Sequence, residues 1–241
     1  MVKSDPSISP GTLSDDILSR VSIVIAAFNE EAQIESVVRE VRKRYPQVVV
    51  VDDGSEDRTA QAARQGGALV LRHLINRGQG AALQTGIECA LKRGAAYIVT
   101  FDADGQHAVE DIEAMLIPIV RGECEITLGS RFLGSAVDMP RSRRLVLKLG
   151  ILFTHLINRM PLTDTHNGFR AFSRQAAEHI QITADRMAHA SEMIDLVRES
   201  GLPWREIPVQ IRYTEYSMQK GQSSRGAWRI VLQYLFGRLF P

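Results

Sequence analysis

Ala95-Ala-Tyr-Ile-Val-Thr-Phe-Asp-Ala-Asp-Gly-Gln-His107 carries the strongest architectural signal in the chain. The apolar run 97–101 is short, β-branched or aromatic, and preceded by Gly94, so it predicts a buried strand. It ends in Asp102 and Asp104, followed by Gln106 and His107. Open α/β sheets bind ligands just beyond the carboxyl ends of their strands. Two carboxylates one residue apart at such a tip form an oxygen-rich site that suits Mg²⁺ or Mn²⁺ bridging to phosphates. An Asp-x-Asp pair on its own is more often a turn with two solvated aspartates. The weight comes from the chain around it.

Working upstream, Val21–Ala27 and 48–51 are further apolar runs of strand length, stopped by Phe28-Asn29 and by Asp52-Asp-Gly-Ser55. A third strand is predicted at 68–71 and a fifth at 126–128. Helical patterns fall between them at 30–44, 57–65, 81–92 and 110–120; in the first, Ile34, Val37, Val38 and Val41 share one face. Strands alternating with helices of about three turns predict an α/β fold with a parallel, doubly wound sheet. Residues 1–20 read as a loose, flexible arm. Beyond Gly129 the rhythm changes to an arginine-bearing loop at 130–144, an apolar helix at 145–157, a helix at 188–199, a strand at 204–211 and a closing amphipathic helix at 225–241.

The bulk numbers exclude some classes. A chain of 241 residues with net charge +1 can bury a real core and gives no global reason to expect nucleic acid. Cys89 and Cys124 show no paired spacing, which fits buried thiols in a reducing compartment. The first twenty residues lack the apolar core of a signal peptide, and no apolar run approaches the ~20 residues of a spanning helix. A cytoplasmic protein is expected, meeting a membrane from its inner face if at all.

Three strand ends deliver polar groups to one edge of the expected sheet: Phe28, Asn29, Glu30 and Glu31; Asp52, Asp53, Ser55 and Asp57; Asp102, Asp104 and Gln106. On a parallel sheet these converge on one crevice. Glu30 and Asp53 suit nucleoside recognition, because a carboxylate accepts from a base N–H or a ribose hydroxyl. The loop His73-x-x-Asn76-Arg-Gly78-Gln-Gly-Ala81 puts glycines where backbone must turn tightly or approach something closely before a helix. It is neither a Walker loop nor the Rossmann fingerprint.

Together these residues resemble the catalytic domain of GT-A family 2 glycosyltransferases, the group that includes dolichyl- and polyprenyl-phosphate sugar synthases. The matching pieces are Ala27-Phe-Asn-Glu-Glu31, Val51-Asp-Asp-Gly-Ser-Glu-Asp57, Asn76-Arg-Gly-Gln-Gly-Ala81, Phe101-Asp-Ala-Asp-Gly-Gln-His107, Gly129-Ser-Arg-Phe132 and Asp164-Thr-His-Asn-Gly-Phe-Arg-Ala-Phe172. The resemblance implies a Rossmann-like, mostly parallel sheet, a nucleotide-sugar-binding core over 21–132 and an acceptor-side part over 133–224. It also implies a GDP- or UDP-sugar donor and inversion at the anomeric carbon. Ala26, Phe28, Glu30, Asp53, Asn76 and Gly78 would hold the donor, and Asp102, Asp104 and Gln106 a divalent ion on its diphosphate. The physics agrees: a diphosphate leaving group develops charge that a bound cation neutralises without a protonated acid.

On the acceptor side, Arg131, Arg141, Arg143 and Arg144 lie beside the apolar helix, and arginine clusters bind phosphates by paired hydrogen bonds. In the lipid-phosphate members, arginines of the corresponding loop hold the acceptor phosphate. A hydroxyl acceptor, as in cell-surface polysaccharide or lipopolysaccharide assembly, would instead need a general base, with Asp164 or Glu192 the candidates. His189 is a further candidate to line the acceptor cavity. Many lipid-phosphate members carry an arginine before Gly-x-Ser-Lys near the C-terminus; here Met218 and Ser224 stand at the arginine and lysine positions, leaving Lys220 or Arg225 as the positive lid. The helices 145–157 and 228–240 are apolar enough to lie on a membrane surface or against a homodimer mate or membrane partner subunit. The different-class reading is a non-catalytic subunit that binds a nucleotide sugar.

Overall fold

The computed structural model describes residues 13–137, 160–165, 167–183 and 189–213. The expected strands form where apolar, β-branched runs allow burial on both faces. They are β1 (Val21–Ala27), β2 (Gln47–Asp52), β3 (Leu69–Arg72), β4 (Tyr97–Asp102) and β5 (Ile126–Val137). Helices α1 (Asp15–Ser19), α2 (Ile34–Arg42), α3 (Thr59–Gly66), α4 (Gln79–Lys92) and α5 (Asp111–Val120) alternate with them. After β5 come β6 (Arg170–Ser173), α6 (Arg174–His179), α7 (His189–Ser200) and β7 (Trp204–Arg212).

The seven strands lie in one sheet in the order β3-β2-β1-β4-β6-β5-β7. Pairs β1/β2, β1/β4, β2/β3 and β5/β7 are parallel, while β6 runs antiparallel to both β4 and β5. The sheet is covered on both sides, as mostly parallel sheets are. Ile23 and Ile25 pack with Ile34, Val38, Ala63, Met115 and Leu116 from α2, α3 and α5. Their neighbour Val24 faces the other way, with Leu83, Ile87, Ala176, Met193 and Val197 from α4, α6 and α7. The period of two along β1 therefore feeds two apolar cores.

Three expectations change. Residues 13–20 are no loose arm: Leu13, Ile17 and Leu18 are buried, because their spacing puts three aliphatic side chains on one side of α1. Residues 130–137, expected to open a loop, continue β5 along β7, with a register shift between Ser130 and Ser135 that bends the strand outward. The four-residue strand β6 is not expected from the sequence, because Arg170 breaks its apolar run. The N-terminal residues 1–12, the apolar helix at 145–157 and the amphipathic helix at 225–241 lie outside the described residues. Among the described residues no helix is long and apolar enough to cross a membrane.

Candidate active site

Sheet register brings the acidic tips together. Ala27 pairs with Asp52 across β1/β2, and Ala26 pairs with Asp102 across β1/β4, so the three strands end level. Side chains then stitch the following loops. Ser55 Oγ accepts from the Asn29 N–H at 2.9 Å, Thr59 Oγ1 from the Glu30 N–H at 2.7 Å, and Asn29 Oδ1 from the Glu56 N–H at 3.0 Å. Asn29 takes φ 55°, a left-handed conformation that asparagine tolerates better than most residues and that turns the chain sharply off β1. Phe28 beside it is 43% exposed at the mouth of the crevice, and Glu30 is half-buried.

Asp53 has a different setting from the one its composition suggests. It is buried, and its two carboxylate oxygens accept from the Gly78 N–H at 2.7 Å and the Arg77 N–H at 3.0 Å; His73 Nδ1 lies 2.7 Å away. The His73 ring reaches on to Thr85 Oγ1 at 3.0 Å. In this conformation Asp53 braces the 73–78 loop over the strand tip. Gly78 itself is buried with φ 95°, and Asn76 is exposed in the same loop.

At the end of β4, Asp102 is half-buried and Asp104 stands beside it. Burial works to raise the Asp102 carboxyl, but the His107 ring, with Arg170 and Arg131 behind it, outweighs burial and holds it below the ordinary range. Asp104 goes the other way, up to about 6, first through burial and then through the negative charge of Asp102, with Glu30 adding to it. The Gln106 N–H on Asp104 Oδ1 at 3.0 Å opposes that rise. Glu30 and Asp102 thus lie within electrostatic reach of Asp104 at the tip of β4, and their charges raise it. Among the described residues no three His, Cys, Asp or Glu side chains gather round one point. The donor set fits a hard divalent cation held by Asp102 and Asp104 with the rest of its shell from water and ligand oxygens, the habit of Mg²⁺. Gly168, two residues before β6, lies beside Asp102: a Cβ there would stand 2.6 Å from Asp102 Oδ1, so any larger residue would force the carboxylate to move.

The second half of the chain closes the other wall. Arg131 and Asp164 are both buried, and Arg131 Nε donates to Asp164 Oδ2 at 2.6 Å while the Arg131 N–H donates to the same oxygen at 3.1 Å. Arg131 Nη1 donates to the Tyr213 hydroxyl at 2.8 Å. Burial works against the Arg131 charge, yet Asp164 and Tyr213 hold it firmly protonated. The Asp164 loop is fixed in turn by Glu206, which accepts from the Thr163 N–H at 2.9 Å and the Asp164 N–H at 3.2 Å. Arg170 is buried in β6, its guanidinium drawn down to about 10 by burial and supported by the charges of Asp102 and Asp164. Gly129, Asp164, Thr165, Asn167 and Arg170 line a small cavity between these elements.

The structure thus brings Glu30, Asp102 and Asp104 near one another, with Ala26 on the strand beside Asp102. It joins Arg131, expected both among the catalytic groups and at the acceptor phosphate, to Asp164, expected as a catalytic group and candidate base, in one buried ion pair. Glu192 accepts from the Thr183 N–H at 2.9 Å and from its hydroxyl at 2.6 Å, which ties it to the segment that follows α6. His189 opens α7; Arg141, Arg143 and Lys220 lie outside the described residues. His107, Gly168 and Arg170 stand inside the matching motifs, Glu206 in the strand 204–211 and Tyr213 just beyond it, with no role that the sequence alone assigns. A charge inside the apolar run 169–172 was the one signal that pointed to Arg170.

A parallel sheet with acidic tips on one crevice, an antiparallel strand inserted after β4 and a carboxylate pair at the end of β4 define the class: a GT-A type sugar-transferring fold. Residues 22–181 match glycosyl transferase family 2, and the chain belongs to that family and is a glycosyltransferase. It is 32% identical over 238 residues to the UDP-N-acetylglucosamine–dolichyl-phosphate N-acetylglucosaminyltransferase of Methanococcus voltae, covering 89% of this chain and 94% of that one. It is 29% identical to the polyprenol monophosphomannose synthase of Mycolicibacterium smegmatis, covering 85% and 82%. Glucosyl-3-phosphoglycerate synthase from Mycobacterium tuberculosis, crystallised with Mn²⁺, UDP-glucose and phosphoglyceric acid, superposes with a TM-score of 0.66 at 20% identity, covering 94% of this chain and 85% of that one. At that identity the likeness is one of fold.

Proposed function

We propose that this chain is an inverting, metal-dependent glycosyltransferase that moves a hexose from a GDP- or UDP-sugar to a polyprenyl phosphate, working peripherally at the inner face of the cell membrane. The observation that carries the acceptor class is the buried pair of Arg131 and Asp164. A saccharide hydroxyl must lose its proton as it attacks and so needs a general base. Asp164, the first candidate, is 4% exposed and held in place by an arginine; Glu192, the second, is engaged by Thr183. A phosphate monoester is already an anion and needs neither. Relatives with dolichyl-phosphate and polyprenol monophosphomannose in their names support the same acceptor.

The remaining roles follow from position and chemistry. The exposed Phe28 ring offers a face for stacking on the base, and Glu30 an acceptor for its N–H groups or the ribose hydroxyls. Asp53 acts through the loop it braces, setting where Asn76 and Gly78 lie against the donor. When bound at Asp102 and Asp104, with Gln106 beside them, Mg²⁺ or Mn²⁺ neutralises the charge developing on the diphosphate. Arg141 and Arg143 hold the acceptor phosphate, Lys220 closes over the donor, and His189 lines the acceptor side.

The test is direct. Purified chain with Mn²⁺ and labelled GDP- or UDP-sugars is offered undecaprenyl phosphate or a lipid-linked saccharide, and the extracted lipids are separated. Label in a lipid phosphate sugar, lost in an Asp102→Ala/Asp104→Ala variant, is the expected result. Transfer confined to the saccharide would replace the acceptor; donor binding without transfer would leave a binding subunit.

A further inference from the structure

His107 stands five residues beyond Asp102, and its side chain is 1% exposed. Its ring lies against Phe101, with centroids 5.4 Å apart, and against Phe169, at 4.9 Å. Nε2 is 2.8 Å from Asp102 Oδ2, and Nδ1 is buried with no polar partner. These surroundings decide the tautomer. A proton on Nδ1 would orphan a donor among phenylalanines and turn the Nε2 lone pair toward a carboxylate; a proton on Nε2 avoids both. His107 therefore donates and Asp102 accepts.

The ring has little freedom to leave. His107 bridges Ile211 of β7, and the Arg212 N–H donates to the Gln106 carbonyl at 3.0 Å. A Cβ at Gly168 would stand 2.6 Å from Asp102 Oδ1 and 3.0 Å from Oδ2, so a side chain there would crowd the carboxylate. The Asp102 carboxylate is thus held by a hydrogen bond from His107 and has little spare room beside Gly168.

We infer that His107 is a positioning residue: its Nε2–H holds the Asp102 carboxylate in one orientation before a divalent cation arrives. The inference rests on the reading of Asp102 as a cation ligand. Groups that orient metal ligands in this way are typically worth 10–100-fold in metal affinity. The clamp is built from β7 and the two residues before β6, so the acceptor-side half of the chain sets the cation affinity of the donor-side half.

The experiment measures Mn²⁺ binding to the full-length apo chain by the EPR signal of free Mn²⁺, with thermal melts alongside. His107→Phe keeps an aromatic ring between Phe101 and Phe169 but removes the donor, and about 10–100-fold weaker Mn²⁺ binding is expected. His107→Gln restores an N–H at similar reach and should recover most of that loss despite poorer packing. Gly168→Ala leaves His107 intact, crowds the Asp102 carboxylate and should weaken Mn²⁺ as well; it supplies the readout should His107→Phe fail to fold. Mn²⁺ affinity within twofold of wild type in a folded His107→Phe or Gly168→Ala chain overturns the inference, as does a Gln variant no better than Phe. Asp102→Asn separates the two levels: if it too binds like wild type, the cation reading itself falls.

Discussion

Replacing Asp164 by asparagine preserves shape and removes one charge from a pair whose side chains are 1% and 6% exposed. Arg131 would keep its hydrogen bond to Tyr213 but lose the carboxylate that compensates its buried charge. Breaking such a pair from one side costs about 3–5 kcal/mol. In a domain of this size each kcal/mol moves the thermal midpoint by about 2–4 °C, so the variant should melt roughly 6–20 °C lower. Arg131→Met with Asp164→Leu removes both charges together and should recover most of the loss, because well-packed apolar replacements of buried pairs are often neutral. Circular dichroism melts of the two variants and wild type give the comparison. A drop of under about 2 °C for Asp164→Asn would refute the reasoning, since it would mean that water still screens the pair. The same protein tests the acceptor. Assayed well below its midpoint, kcat toward a polyprenyl phosphate should stay within about tenfold of wild type, whereas losing a general base costs about 10²–10⁴-fold.

Other outcomes follow from the same geometry. Asp104 is raised to about 6, so in the apo chain it binds a proton more tightly folded than unfolded. The stability that proton lends is fully present below about pH 4 and is lost as pH rises through about 6. Mn²⁺ competes for the same oxygens and should raise the melting temperature more at pH 7.5 than at pH 5; an equal rise at both would place the ion elsewhere. Glu206→Ala releases the Thr163 and Asp164 N–H groups and should cost about 1.5–3 kcal/mol in urea unfolding, the worth of hydrogen bonds to a charged group. A panel of GDP- and UDP-sugars with Mn²⁺ should pick out the donor, which at 100 times its Kd stabilises the chain by about 2.7 kcal/mol. Without the metal, or in Asp102→Ala/Asp104→Ala, that shift should shrink.

The alternation of strands and helices in the first half is written in the residues alone, since runs such as 21–27 and 97–101 are too apolar and β-branched for any place but a sheet covered on both sides. The sequence also put carboxylates at three strand tips, and parallel topology alone then points them at one crevice. It left undecided what each carboxylate meets there. Asp53, Asp102 and Asp164 look alike as letters, yet one is bound by backbone N–H groups from a loop more than twenty residues away, one is held by a histidine in a place that leaves no room for a side chain at Gly168, and one is locked to an arginine. Those partners come from loops, and from the outer stretch of β5, that no local periodicity announces. The charge state and orientation of a buried carboxylate depend on the dielectric and the donors around it, and only tertiary packing supplies both.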